Sequence, residues 1–313
     1  MEFNNVCVIG GSGFVGRHIV HLLTARGASV RVPTRKRERA KELILLPTVE
    51  VVEADVHDPA ALAGMMAGMD AVISLVGILH ETRAGDFQRI HAELPGKVVD
   101  AAGAAGVRRL LHMSALHAAP DGPSLYLRTK GEAEQRVRES GLDWTLFRPS
   151  VIFGREDSFL NLFAGLLRAL PVVALAKPHA RFQPVFVEDV ARAFVQSLDL
   201  PGTIGQSYDL CGPRVYTLRE LVEYVGGLVG RQRPIIGLGD GLSYLQAFAM
   251  ELLPVKLMTR DNLDSMKVDS ICGCPFPAEF GFQPTAMEAV VPLYLAEENP
   301  RARYYGYRGR AHR

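Results

Sequence analysis

Cysteine and tryptophan are scarce in this chain: four and one, respectively, in 313 residues. Cys7, Cys211, Cys272 and Cys274 are too few and too scattered for a disulfide framework, and Cys272-Gly273-Cys274 lacks the second ligand pair of a zinc site. No metal centre is expected, and a reducing compartment is the simplest inference. No apolar run has the length to cross a bilayer. The first residues already read as a strand, so no secretory leader is expected. Neither sign of charge dominates, with 35 basic and 34 acidic residues giving a net +1. That balance offers no basic body for nucleic acid. The one imbalance lies at the end, where residues 300–313 hold five arginines (Arg301, Arg303, Arg308, Arg310, Arg313), three tyrosines and no acid. The remainder carries 30 basic residues against 34 acidic, a net of −4. Such a tail suits docking on anionic lipid, nucleic acid or an acidic partner, or a solubilising end, and nothing else in the chain points to nucleic acid.

What is present is ordinary for a globular protein: 48% hydrophobic and 22% charged residues, in a length that fits one large α/β domain or two smaller ones. The most informative stretch opens the chain. Val6-Cys7-Val8-Ile9 reads as a buried strand, Gly10-Gly11-Ser12-Gly13-Phe14-Val15-Gly16 as a glycine-rich turn, and the amphipathic run to Arg26-Gly27 as a helix. This is the order a dinucleotide site requires. Gly10 allows the tight turn, Gly13 lets backbone approach a pyrophosphate, and Gly16 lets helix and strand pack closely. The N–H groups of Ser12, Phe14 and Val15 lie where the helix N-terminus meets phosphate.

The second strand ends at Thr34-Arg35-Lys36-Arg37, where an NAD site would usually carry an acid for the ribose 2′-hydroxyl. Arg35 and Lys36 instead suit a 2′-phosphate, so NADP(H) is expected ahead of NAD(H); the alternative is a solvated helix start. Asp55, with Val56 beside it, ends the third strand as a candidate for the adenine amine, or as a turn or capping acid before Pro59.

Apolar runs at Val49–Val52, Ala71–Val76, Leu110–Met113 and Trp144–Phe147 alternate with helical patterns at Pro59–Ala67, Phe87–Ala105 and Leu125–Ser140. Gly68, Gly106 and Gly141 follow these helices as stops. The expected fold is α/β, a Rossmann-type doubly wound parallel sheet with a small mixed C-terminal lobe. Residues 1–150 would form the NADP(H)-binding domain, with 181–212 returning to the sheet. Residues 151–180 and 213–296 would form a substrate-side lobe, and 297–313 the basic aromatic tail.

Tyr126-Leu127-Arg128-Thr129-Lys130 is the second informative cluster. Tyr126 and Lys130 lie four apart and share a helix face. A lysine ammonium beside a phenol favours the phenolate and makes the tyrosine an acid or base near neutral pH. Ser114, at the end of the Leu110–Met113 strand, could hold a substrate oxygen near that phenol, or simply cap the strand. His80, His91, His112 and His117 have no metal-like spacing and read as surface or core histidines. Phe153, Phe159, Leu162 and Phe163 read as packing, Arg148 and Arg155 as partners of an anionic substrate or of Glu156 and Asp157. The apolar Leu242–Leu253 stretch reads as a buried helix or a membrane- or partner-facing one.

These motifs, with Arg148-Pro149-Ser150-Val151-Ile152-Phe153-Gly154-Arg155-Glu156-Asp157 and Gln183-Pro184-Val185-Phe186-Val187-Glu188-Asp189-Val190-Ala191, resemble the extended or atypical short-chain dehydrogenase/reductase superfamily (NAD-dependent epimerase/dehydratase-like). Within it the chain is most similar to the NADPH-binding accessory subunit family of respiratory complex I and its free-standing bacterial relatives. The resemblance implies Ser114 as substrate orienter, Tyr126 as general acid/base and Lys130 as pKa-lowering ribose binder. It implies a cofactor-facing loop at Leu75-Val76-Gly77, which departs from the Asn-Ala-Gly of many active reductases, and a cofactor contact at Pro149. It further implies three roles: an oxidoreductase linked to complex I or ubiquinone metabolism, a scaffold holding NADPH structurally in a membrane-associated respiratory or quinone-making complex, or a redox sensor. The substrate is a small molecule that the sequence does not name. A homodimer and a cytoplasmic location, peripheral on the inner face of the membrane, complete the expectations.

Overall fold

The computed structural model describes residues 3–252 and 257–296. The basic tail, and Leu253 at the end of the apolar stretch, lie outside the described residues. The chain divides into two compact units. The first comprises the chain up to Pro149, Val187–Leu210 and Pro277–Phe282; the second comprises Ser150–Phe186, Cys211–Phe276 and the chain from Gln283.

The first unit is built on a seven-stranded sheet. Its strands are β1 (Asn5–Ile9), β2 (Ser29–Thr34), β3 (Val49–Glu53), β4 (Ala71–Ser74), β5 (Arg109–Met113), β6 (Asp143–Pro149) and a last strand, Gln206–Leu210. The spatial order runs Gln206–Leu210, β6, β5, β4, β1, β2, β3, and every neighbouring pair is parallel. Strand order reverses between β1 and β4, so the crevice beyond their carboxyl ends is where a doubly wound sheet receives its ligand. Helices cover both faces, which is why β1 and β4 are almost wholly buried and read as unbroken apolar runs. On one face Cys7, Ile9, Val72, Leu110 and Leu146 pack with Leu62, Met66, Leu94, Val98 and Val137 from the helices. Each such side chain contributes roughly 1.5–3 kcal/mol on burial. Burial also pushes the Cys7 thiol up to about 12, which leaves it unreactive.

Local chemistry sets the helix limits. Asp58 caps Pro59–Met66 by accepting from Ala60 N, and Ser124 caps Leu125–Arg138 by accepting from Leu127 N. The glycine stops at 68, 106 and 141 all take left-handed φ, +74°, +73° and +69°. One expected helix, Phe87–Ala105, is not uniform: Gln88–Glu93 winds as a wide π turn before Leu94–Ala104 continues as α-helix. Pro95, at the second helical position, has no N–H to give the preceding turn, and the wider winding absorbs that loss.

The second unit has its own core. Helices Phe159–Ala169 and Leu218–Leu228 meet through Leu160, Phe163, Ala164 and Leu167 against Leu221, Val222 and Val225. Phe153 and Phe159 belong to this core as expected. Two expectations need correction. Cys211 and Cys272 form a disulfide, although 61 positions apart, because folding brings together what spacing keeps apart. Gln183 stitches the same place, donating to Gly212 O at 2.7 Å and accepting from Cys272 N at 3.0 Å. Cys7 and Cys274 remain thiols. The second concerns Asp157: its carboxylate accepts from Leu160 N, Gly154 N and Tyr294 OH, so it caps a helix.

Candidate cofactor and active site

The glycine turn is built around backbone contact. Gly10 has φ +87°, and its carbonyl accepts from Gly13 N at 3.0 Å. A Cβ on Gly16 would lie 2.2 Å from Gly10 O and 2.6 Å from Gly11 Cα, so only glycine fits there. The helix Phe14–Ala25 starts at Gly13 with no side-chain cap and no acid in its first turn. Its opening N–H groups and positive dipole end, in the Ser12–Gly16 stretch, are therefore left for an external anion.

Beyond β2, buried Thr34 donates to Lys36 O at 3.1 Å and fixes the turn from which Arg35, Lys36 and Arg37 project, exposed. None of the three forms an ion pair among the described residues. Ala54 N bonds Thr34 O at 3.0 Å, which brings Asp55 and Val56 to the same sheet edge. Asp55 Oδ1 accepts from His57 N at 3.0 Å, a local turn bond, while Asp58 takes the capping role.

Leu75-Val76-Gly77 passes directly over the turn. Leu75 N bonds Ile9 O at 2.9 Å, and a Cβ on Gly10 would stand 3.2 Å from Val76 N. At Gly77 the space for a Cβ is bounded by Lys130 Nζ at 3.3 Å and His91 Nε2 at 3.6 Å. The loop thus links the glycine turn to the Tyr126–Lys130 helix.

Lys130 is buried and donates to Met113 O at 3.0 Å, one residue before Ser114. Burial pulls its pKa down to about 8, partly offset by the Glu134 carboxylate. Ser114 N is held by Phe147 O at 2.8 Å, but its buried Oγ has no partner among the described residues. The half-buried Tyr126 ring stands edge-on to His91 and Phe87, with centroids 5.3 and 6.0 Å apart. Pro149, at the end of β6, accepts from Leu116 N at 3.2 Å and so flanks the segment that follows Ser114.

Four residues here, His91, Phe87, Thr129 and His112, were not legible as site residues. His91, in the π turn, accepts from Ile78 N at 2.9 Å through Nε2, while its Nδ1 meets Thr129 Oγ1 at 3.3 Å. Since the Thr129 hydroxyl donates to the Leu125 or Tyr126 carbonyl, Nδ1 carries the proton. Burial, with Lys130 close by, drives the His91 pKa down to about 2, so it is a neutral strut between the loop and the tyrosine helix. Phe87 stacks on it at 5.2 Å. Thr129 sits inside the Tyr126–Lys130 motif itself, and that position was the available signal. His112 is buried with both ring nitrogens unpartnered among the described residues, and burial pushes its pKa down to about 3. Arg148 pairs with Glu134, Nε to Oε1 at 2.7 Å, because β6 carries it under the Leu125–Arg138 helix.

Known proteins share this frame. An NAD(P)H-binding family matches residues 10–160. The alpha subcomplex subunit 9 of mitochondrial NADH dehydrogenase (ubiquinone) from Mus musculus is 31% identical over 299 residues, covering 90% of this chain and 77% of that one. The chain belongs to the NAD(P)H-binding family that includes this subunit. A further member, the (4-alkanoyl-5-oxo-2,5-dihydrofuran-3-yl)methyl phosphate reductase of Streptomyces griseus, is 34% identical over 230 residues, 72% of this chain and 74% of the relative. Among solved structures, an NADPH-dependent quinone oxidoreductase of Escherichia coli in complex with NADPH shares the fold, with TM-score 0.74 and 22% identity over 92% of this chain and 99% of that one. The family member described here is thus an NAD(P)H-binding protein of oxidoreductase-like fold. No helix among its described residues is long and apolar enough to cross a membrane.

Proposed function

We propose that this family member is an NADPH-preferring oxidoreductase acting through Ser114, Tyr126 and Lys130, with a substrate drawn from respiratory or quinone metabolism. The carrying observation is the unpartnered Ser114 hydroxyl, buried one residue beyond the carbonyl that fixes Lys130. A buried hydroxyl without a partner is costly unless a ligand completes it. The residues present fit the cofactor: the Gly10–Gly16 cradle that a Cβ would fill, the uncapped helix N-terminus, and Arg35 and Lys36 for a 2′-phosphate. Asp55, Val56, Leu75, Val76, Gly77 and Pro149 line the rest of that path.

Bound NADPH supplies a hydride. Ser114 Oγ donates to the substrate oxygen and orients it, and Tyr126 exchanges its phenolic proton with that oxygen. Lys130, held by Met113 O, would set its ammonium on the phenol's side of the helix and would hold the cofactor ribose. His91 and Thr129 hold the helix face on which Tyr126 is presented. The likeness to a complex I subunit supports a second reading, a scaffold that keeps NADPH as a structural cofactor, with a peripheral place on the inner membrane face. Tyr126→Phe separates the two. If the variant binds NADPH but fails to restore quinone content and NADH-driven respiration in a deletion strain, the phenolic proton matters and the enzyme reading holds. Full rescue sinks it and leaves the scaffold.

A further inference from the structure

The helix Asp240–Glu251, in the second unit, is amphipathic in the inverted sense. Its inward side carries small and polar residues: Ser243 and Ala247 are buried, Gln246 donates to Ala174 O at 3.0 Å, and Tyr244 OH donates to Asp264 at 2.5 Å. Its outward side carries Leu242, Leu245 and Phe248, followed by Leu252, exposed by 59, 62, 46 and 73%. At 100° per residue these four fall on one stripe, filled out by exposed Gly241 and Ala249, with no polar side chain in it. A soluble helix normally turns such a stripe inward.

We infer that this stripe is a membrane-docking face that lies flat on an anionic phospholipid surface. Charge favours that occupant. Among the described residues, three acids on or beside the helix are paired in place, Asp240 with Lys177 at 2.8 Å, Glu251 with Arg260 at 2.9 Å and Asp264 with Lys267 at 2.7 Å, which lowers their repulsion of a headgroup. Arg260 also lies over the Phe248 ring at 5.2 Å, setting a guanidinium at the border of the stripe. The same chain ends in a sequence with five arginines, three tyrosines and no acid between 300 and 313, a composition drawn to anionic lipid. Four side chains expose on the order of 400 Å², about half of what each partner of a stable dimer buries, yet enough for an interfacial helix. The inference deepens the peripheral placement proposed above and is independent of the chemistry at Tyr126.

The test is flotation of the full chain, with NADPH bound, on phosphatidylglycerol/phosphatidylcholine vesicles and on phosphatidylcholine alone. The wild type is expected to float with the anionic vesicles. Combining Leu242→Ser, Leu245→Ser and Phe248→Ser should cut partitioning roughly tenfold or more, with NADPH binding unchanged. A separate Leu245→Trp variant should shift its emission to the blue on those vesicles, which reports entry of this face. Absence of flotation overturns the inference, as does equal flotation of the triple variant, which would assign binding to the tail alone. A wild-type dimer that the triple substitution dissociates, without flotation, would overturn it in favour of a second copy. Retained NADPH-dependent turnover in any of these cases leaves the oxidoreductase reading intact.

Discussion

Strand β5 buries polar groups near both ends and treats them oppositely. At its start, Arg109 is engaged at both Nη atoms: Nη1 donates to Asp143 O at 2.8 Å, and Nη2 reaches Thr145 Oγ1, Ser197 O and Thr203 Oγ1 at 2.8–2.9 Å. Burial lowers its pKa to about 10, which still leaves it charged at neutral pH. At the other end, Ser114 Oγ and both His112 nitrogens lack partners among the described residues, and Lys130 has pKa about 8. Burying a polar group costs free energy unless hydrogen bonds replace water. A satisfied group is therefore part of the frame. An unsatisfied one, at the carboxyl end of a parallel strand, is what the proposed ligand role of Ser114 rests on.

That contrast can be broken by substitution. Arg109→Met should be the most damaging to stability, by about 3–5 kcal/mol, since it removes four hydrogen bonds, three of them buried. Urea denaturation measures this, and a loss under ~1 kcal/mol would erase the difference between the two ends. Ser114→Ala should do the reverse, leaving stability unchanged or raised by up to ~1 kcal/mol. NADPH-dependent turnover should meanwhile fall roughly 10²-fold if Ser114 orients a substrate. Arg35→Ala should weaken NADPH binding by about 1.5–3 kcal/mol, with NADH titration unaffected, because only the 2′-phosphate loses a partner. The last effect concerns acid, and near neutral pH it is the smallest. His112 has its pKa lowered from 6.5 to about 3, so below 6.5 the unfolded chain binds the proton first. The stability it contributes is complete above pH 6.5 and is lost as pH falls toward the folded value. His112→Leu should flatten that decline by about 1.4 kcal/mol per pH unit, read from denaturation at two pH values.

The sheet was readable because buried parallel strands leave continuous apolar runs, and Gly16 because a turn against a helix tolerates no Cβ. That Tyr126 and Lys130 lie on one helix was readable because helical spacing is local. His91 was not: its meaning comes from Ile78 and Thr129, 13 positions before and 38 after it. Arg109 was hidden for the same reason, as Ser197 and Thr203 are supplied by distant chain. Arg148 was read against its sequence neighbours, whereas its partner is chosen by the register of β6 under the helix. Patterns within one element survive in sequence, and pairings across elements do not.

The Cys211–Cys272 bridge makes the chain between them a closed ring that contains the helices Leu218–Leu228, Asp240–Glu251 and Arg260–Ser265. A protease that cuts once inside this ring opens the circle without releasing a fragment. The nicked protein would keep its full mass on a non-reducing gel and separate into two pieces only after a reductant is added. For this protein, a single band is evidence of covalent connection and not of an unbroken backbone.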